Sequence, residues 1–160
     1  LHPQPHPPVF PYGLAISSCR RDFFRYDLAV MKLWFGKYRP RHELIVKKGL
    51  AGLGLFATDD ILKDDFIIEY TGPLLTEEQS EEKAGLYLFA VTDTKWTIDG
   101  SGRENIARYI NHSCKPNCTP YADGKRIVIH AKRNIKAGEE LTYNYGKEYM
   151  DDLNCRCPHC

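Results

Sequence analysis

Three of the six cysteines in this 160-residue chain stand together in Cys155-Arg156-Cys157-Pro158-His159-Cys160. Six cysteines are enough for three disulfides, but so dense a cluster reads more simply as metal binding, because thiolates separated by one and two residues can converge on one ion. Zn²⁺ takes four ligands, so a tail offering three thiolates needs a fourth from a distant segment. A second chemical pattern is Gly52-Leu53-Gly54-Leu55-Phe56-Ala57. It satisfies the relaxed dinucleotide pattern G-x-G-x-x-G/A, with Glu69 at about the distance of a ribose-binding acid. That fingerprint requires a helix to start inside the motif, since the helix N-terminus holds the pyrophosphate. Here the next residues, TDDILKDDFIIEY, run quickly into another strand. Two glycines around one residue still let a ligand lie against bare backbone, and a plain hairpin turn is the simpler alternative.

The elements that must carry these groups are mostly strands. From Glu43 onward the apolar runs are short: LIV at 44–46, LGLFA at 53–57, FIIEY at 66–70, YLFAV at 87–91, WTI at 96–98, RIVIH at 126–130 and LTYNY at 141–145. These are strand lengths. Thr76-Glu77-Glu78-Gln79 reads as a capping box opening a short acidic helix toward Ala84, and Arg103 to Ile110 as one or two helical turns. Residues 14–38 mix apolar and basic positions in a way compatible with short helices packed on the domain's own core. Five of the ten prolines fall in the first eleven residues, which predicts an extended, fraying start. A chain that starts on Leu1 and ends inside a cysteine cluster reads as a piece of something longer.

Composition narrows the function classes. Hydrophobic residues at 42% and charged residues at 27% suit one globular domain and exclude global disorder, collagen and coiled coil. Lys+Arg 22 against Asp+Glu 21 leaves +1, which argues against a protein devoted to gripping phosphate backbones. No apolar run is long enough to cross a bilayer, and the first residues do not form a secretory signal, so the chain reads as soluble and intracellular.

Two further segments are more specific: Arg108-Tyr109-Ile110-Asn111-His112-Ser113-Cys114-Lys115-Pro116-Asn117-Cys118, and Gly138-Glu139-Glu140-Leu141-Thr142-Tyr143-Asn144-Tyr145-Gly146. Together with the glycine turn, Glu69-Tyr70-Thr71-Gly72, Tyr87-Leu88-Phe89, Ile98-Asp99 and the cysteine tail, in that order, they make residues 43–160 resemble the SET-domain lysine methyltransferases. Residues 1–42 carry no such match. The resemblance implies a mainly β fold of small curved sheets around a pseudoknot, in which the first segment threads past the second. It implies a pocket for S-adenosylmethionine at Gly52, Leu53, Gly54, Tyr87, Asn111 and His112, joined by a narrow channel to a substrate groove. The implied organisation is a Pro-rich start at 1–12, a flanking segment at 13–42, a catalytic domain at 43–147 and a metal-binding tail at 148–160.

Methyl transfer from a sulfonium to an amine is an in-line displacement that needs a neutral nitrogen. A free lysine titrates near pKa 10.4, and an apolar aromatic channel beside a sulfonium lowers that value without a dedicated base. By resemblance Tyr145 is the catalytic tyrosine. Tyr143 occupies a position that alternates between Phe and Tyr, where the extra hydroxyl favours fewer added methyls. Tyr70 and Phe89 are candidates for the channel wall, or ordinary core aromatics. The resemblance makes Cys114 the fourth zinc ligand beside Cys155, Cys157 and Cys160. The short C-x-C-x₂-C spacing leaves His159 or Cys118 as substitutes for Cys160. Cys19 reads as an ordinary thiol. The chain ends where family tails often continue with an aromatic over the donor, which implies a partly open pocket.

The expected partner is a lysine-bearing protein, with histone tails as the commonest family substrate and no strong nucleic-acid or membrane binding. A nuclear, chromatin location follows for a eukaryotic source, and cytoplasm or delivery into a host for a bacterial one. Two other readings stay open: a catalytically idle SET domain that binds peptide or chromatin, and a dinucleotide-dependent oxidoreductase.

Overall fold

The computed structural model describes residues 41–49, 51–83, 85–146, 150 and 157. The expectations for residues 1–40, and for Cys155, His159 and Cys160, lie outside these residues. Among the described residues, ten strands form four small sheets. Strands β1 (Leu44–Gly49) and β2 (Gly52–Ala57) make an antiparallel hairpin in which Gly49 faces Gly52. Gly52 sits at φ +114, a left-handed conformation that a side chain disfavours, so glycine is what allows the chain to turn there. The main sheet runs β3 (Phe66–Tyr70), β9 (Arg126–Ala131) and β8 (Cys118–Asp123), all antiparallel. Its central strand buries Ile127, Val128, Ile129 and Ala131. The β-branched Ile127, Val128 and Ile129 suit a pleated surface covered on both faces.

A third sheet is ordered β4 (Leu74–Leu75), β6 (Thr97–Asp99) and β5 (Leu88–Ala90). Between β4 and β5 lies a short α-helix, α1 (Glu77–Lys83). The anticipated capping box forms reciprocally: Gln79 N–H donates to Thr76 Oγ1 at 3.3 Å, and Thr76 N–H donates to Gln79 Oε1 at 2.9 Å. None of the helix residues is buried, so capping and the Lys83–Asp99 ion pair hold it to the sheet in place of an apolar face.

The fourth sheet decides the topology. Strand β7 (Asn111–His112) pairs in parallel with β10 (Thr142–Tyr143), in the register Thr142↔Asn111 and Tyr143↔His112. Arg108 to Tyr109 complete a 3-10 turn (Ile106–Tyr109) that leads into β7. The two segments singled out in the sequence thus lie side by side, inside a core built on Leu55, Ile61, Ile67, Ile110, Ile129, Ile135 and Leu141.

The dinucleotide reading is corrected here. Residues Gly52–Ala57 are wholly strand, with Leu55, Phe56 and Ala57 buried, and among the described residues no α-helix begins before Glu77. No helix N-terminus is therefore offered to a pyrophosphate. Glu69, the expected ribose acid, instead accepts from Arg126 Nε at 2.8 Å across β3 and β9.

Candidate active site

The glycine turn and the Asn111 segment meet directly. The Asn111 amide donates from Nδ2 to Leu53 O at 3.1 Å and to Glu140 Oε1 at 2.7 Å. A Cβ on Gly54 would stand 2.3 Å from that same Oε1, and one on Gly49 would stand 2.8 Å from Oε2. The two glycines therefore leave space that the Glu140 carboxylate fills. Asn111, Leu53 and Glu140 form one polar cradle of carbonyl, amide and carboxylate at the mouth of the hairpin. That set suits a ligand carrying both cationic and hydrogen-bonding groups, and S-adenosylmethionine is such a ligand.

Next along β7 is His112. Its Nδ1 accepts the Tyr145 backbone N–H at 3.2 Å, and burial lowers its pKa, favouring the neutral ring. The Tyr145 hydroxyl donates to Ile110 O at 2.7 Å. Tyr145 is thus held at both ends by the segment that contains Asn111 and His112.

From His112 a continuous series of rings runs away from the cradle. His112 and Tyr145 are 5.4 Å apart, Tyr145 and Tyr143 4.8 Å, Tyr143 and Phe89 5.8 Å, and Phe89 and Tyr70 5.3 Å between centroids. Tyr70, Tyr87, Phe89, Tyr143 and Tyr145 share the lining of a cavity of about 320 Å³. Leu53, Asn111, His112, Tyr145, Tyr143, Phe89 and Tyr70, all singled out in the sequence, follow one another through these contacts. Tyr87, expected beside the donor, also lines the aromatic cavity.

Three contributors were not anticipated. Arg108 lines the same cavity, with its guanidinium carbon 3.7 Å from the centroid of the Tyr87 ring and its Nη1 donating to Ser101 O. A hydrogen bond with Tyr87 raises the pKa of Arg108 further above its already high value. Glu140 completes the cradle. Asn117, buried between strands, donates from Nδ2 to Glu140 O at 2.8 Å and accepts the Thr142 N–H on Oδ1 at 2.8 Å. Arg108, Asn117 and Glu140 all sit inside the two specific segments, so their place was the available signal.

One group of thiols adjoins the site. His112, Cys114 and Cys157 bring their ligand atoms within 4.8 Å of one another, and Cys114 N–H points to Cys157 Sγ at 3.4 Å. Soft donors gathered in this way fit Zn²⁺. Cys118 does not join them: it is buried in the core, its S–H donates to Asn117 Oδ1 at 3.3 Å, and burial pushes its pKa up to about 12. A thiol held protonated is a poor substitute ligand.

The SET-domain family profile matches residues 52–146. The chain belongs to the SET-domain family. It is 39% identical over 142 residues, 80% of its length, to the Arabidopsis thaliana histone-lysine N-methyltransferase ATXR7. Over 124 residues, 68% of its length, it is 43% identical to the Schizosaccharomyces pombe histone-lysine N-methyltransferase, H3 lysine-4 specific. This SET-domain chain spans 10% of the first of those relatives and 13% of the second. Among solved structures, it resembles the Chaetomium thermophilum polycomb repressive complex 2 with a TM-score of 0.59 and 34% identity, over 66% of this chain and 15% of that one. A second such structure, ctPRC2 in an autoinhibited conformation bound to S-adenosylmethionine, gives a TM-score of 0.58 at 32% identity, covering 71% of this chain and 17% of that one.

Proposed function

We propose that this SET domain is a protein-lysine N-methyltransferase that uses S-adenosylmethionine, acts on a histone tail and works at chromatin in the nucleus. The observation that carries the reading is the junction at Tyr145, where the polar cradle of Asn111, Leu53 and Glu140 meets the aromatic cavity. The relatives' names and the bound methyl donor of ctPRC2 support the same donor and substrate class. The catalytic unit is residues 43–147, preceded by a flanking segment and followed by a metal-binding tail at 148–160.

When bound, S-adenosylmethionine supplies an electrophilic methyl on a sulfonium, and the S–C electron pair returns to sulfur as nitrogen takes the methyl. The residues of this chain do the rest. Gly52, Leu53 and Gly54 present backbone to the donor, Asn111 and His112 complete its pocket, and Tyr87 stands at the junction with the cavity. Rings of Tyr70, Phe89 and Tyr143 exclude water from a lysine stem and disfavour its ammonium, so the proton leaves to solvent at the cavity mouth. Tyr145, with its own proton committed to Ile110 O, keeps a lone pair to accept an amine N–H and aim the nitrogen lone pair along the methyl–sulfur axis. Cys114 and Cys157, joined by Cys155 and Cys160, would hold Zn²⁺, whose contribution is to tie the tail to the site.

Labelled methyl transfer from S-adenosylmethionine onto a panel of histones and a whole-cell extract tests this reading. Incorporation on histone lysines, abolished by product inhibitor, is the expected outcome. Donor binding by calorimetry without transfer to any protein would overturn it in favour of an idle domain.

A further inference from the structure

One imidazole lies between the candidate catalytic tyrosine and the candidate metal thiols. The Tyr145 backbone N–H donates to Nδ1 of His112 at 3.2 Å, and Nε2 of the same ring lies 3.5 Å from Cys114 Sγ. A ring nitrogen that accepts a hydrogen bond keeps its lone pair, so the proton of the neutral ring sits on Nε2. A protonated nitrogen thus faces the Cys114 sulfur and has no lone pair for a metal. We infer that His112, though grouped with Cys114 and Cys157, is not a metal ligand but a positioning residue that donates Nε2–H to the Cys114 thiolate and couples metal binding to the placement of Tyr145. The inference rests on the metal-binding reading of Cys114 and Cys157 given above.

The surroundings suit this role. An N–H directed at a ligating thiolate draws charge from the sulfur, favours its deprotonated form and fixes its direction. Cys157 Sγ has a comparable donor in the Cys114 backbone N–H at 3.4 Å. Both described thiols of the group therefore face an N–H. The coupling works in both directions: a metal that fixes Cys114 also fixes the ring against which Tyr145 packs, edge to face at 5.4 Å.

Cobalt titration of the full chain tests it, comparing wild type with His112→Phe and His112→Gln. Competition against a chromophoric chelator gives affinity, and the visible spectrum at saturation reports the ligand set. Phenylalanine is expected to weaken Co²⁺ binding about 10–100-fold while leaving the spectrum unchanged. Glutamine, whose amide can donate to the same sulfur, is expected to recover most of that loss. Equal affinities in all three proteins would overturn the inference, as would a spectrum altered in the phenylalanine variant. If that variant misfolds, zinc-edge X-ray absorption decides: an imidazole signal present in wild type and absent from the glutamine variant refutes it, and identical spectra support it. A wild-type chain that takes up no metal would sink the metal reading itself, and the role of His112 with it.

Discussion

The Tyr145 hydroxyl donates to the carbonyl oxygen of Ile110, 35 residues away in sequence, at 2.7 Å. That bond fixes the oxygen at the junction of cradle and cavity. Tyr145→Phe keeps the ring and its packing on Tyr143 and His112 but loses the aimed acceptor. Turnover is expected to fall about 100-fold or more, the scale of a misaligned attacking group. Affinity for S-adenosylmethionine should change less than about threefold, because the Asn111–Leu53–Glu140 cradle is untouched. Radiolabelled transfer and calorimetry on the same preparation check the split, and near-normal turnover would remove Tyr145 from its role.

Tyr143 stands between Phe89 and Tyr145 in the ring series and lines the cavity, so its hydroxyl competes for room with a substituted amine. Tyr143→Phe deletes that oxygen and keeps the wall. The variant is expected to shift product from lower to higher methylation states. Mass spectrometry of a modified peptide reads this directly, and an unchanged product distribution would contradict it.

Gly54 offers a separation between folding and donor binding. A Cβ there would stand 2.3 Å from Glu140 Oε1, the far end of a flexible side chain, and Gly54 does not need a left-handed backbone. In Gly54→Ala the carboxylate must swing away and the Phe56 ring, whose Cε2 would lie 3.0 Å from the new Cβ, must give by a few tenths of an ångström; the carboxylate then abandons the Asn111 amide. The melting temperature should move by only a few degrees, while donor affinity falls about tenfold, the effect of one lost charge-assisted hydrogen bond. Calorimetry showing unimpaired donor binding would rule this out.

Much of this site was legible because its parts are local. The capping box at Thr76, the strands at 44–46, 66–70 and 126–130, and the two specific segments all declare themselves within a few residues. The parallel contact of β7 with β10 is only two residues long on each strand, and its expectation came from family resemblance, since no periodicity marks so short a pair. Strand β8 was missed because Pro120 breaks a strand pattern, yet β8 is at a sheet edge where a missing N–H is tolerated. Asn117 lies inside the first specific segment, yet its role was illegible for a different reason: its value lies in two bonds to residues more than twenty positions away.

Those two bonds make Asn117 a stability hinge for the crossing. It is buried, its amide satisfies Glu140 O, and its carbonyl satisfies the N–H of Thr142 at the start of β10. Asn117→Ala strands both backbone groups where water is scarce, which costs about 2–6 kcal/mol at about 1–3 kcal/mol for each unsatisfied group. Chemical denaturation should show that loss together with weakened donor binding, because β10 positions Tyr143 and the residues leading to Tyr145. A variant as stable as wild type would show that the crossing is held by other means.

Cys118 gives the chain an alkaline weakness whose sign follows from burial. Its pKa is pushed up from 9.0 to about 12, because the thiolate would lie in the apolar core. Below pH 9 both folded and unfolded chains keep this proton, and the group leaves stability independent of pH. Between pH 9 and 12 the unfolded chain releases the proton while the folded chain retains it, so stability falls with a slope approaching about 1.4 kcal/mol per pH unit. Cys118→Ala loses some packing at neutral pH but removes this contribution. The stability gap between wild type and variant should therefore narrow steadily from pH 8.5 to pH 11 in denaturant melts. A gap that stays constant over that interval would mean that the Cys118 thiol ionises as readily in the folded chain as in the unfolded one.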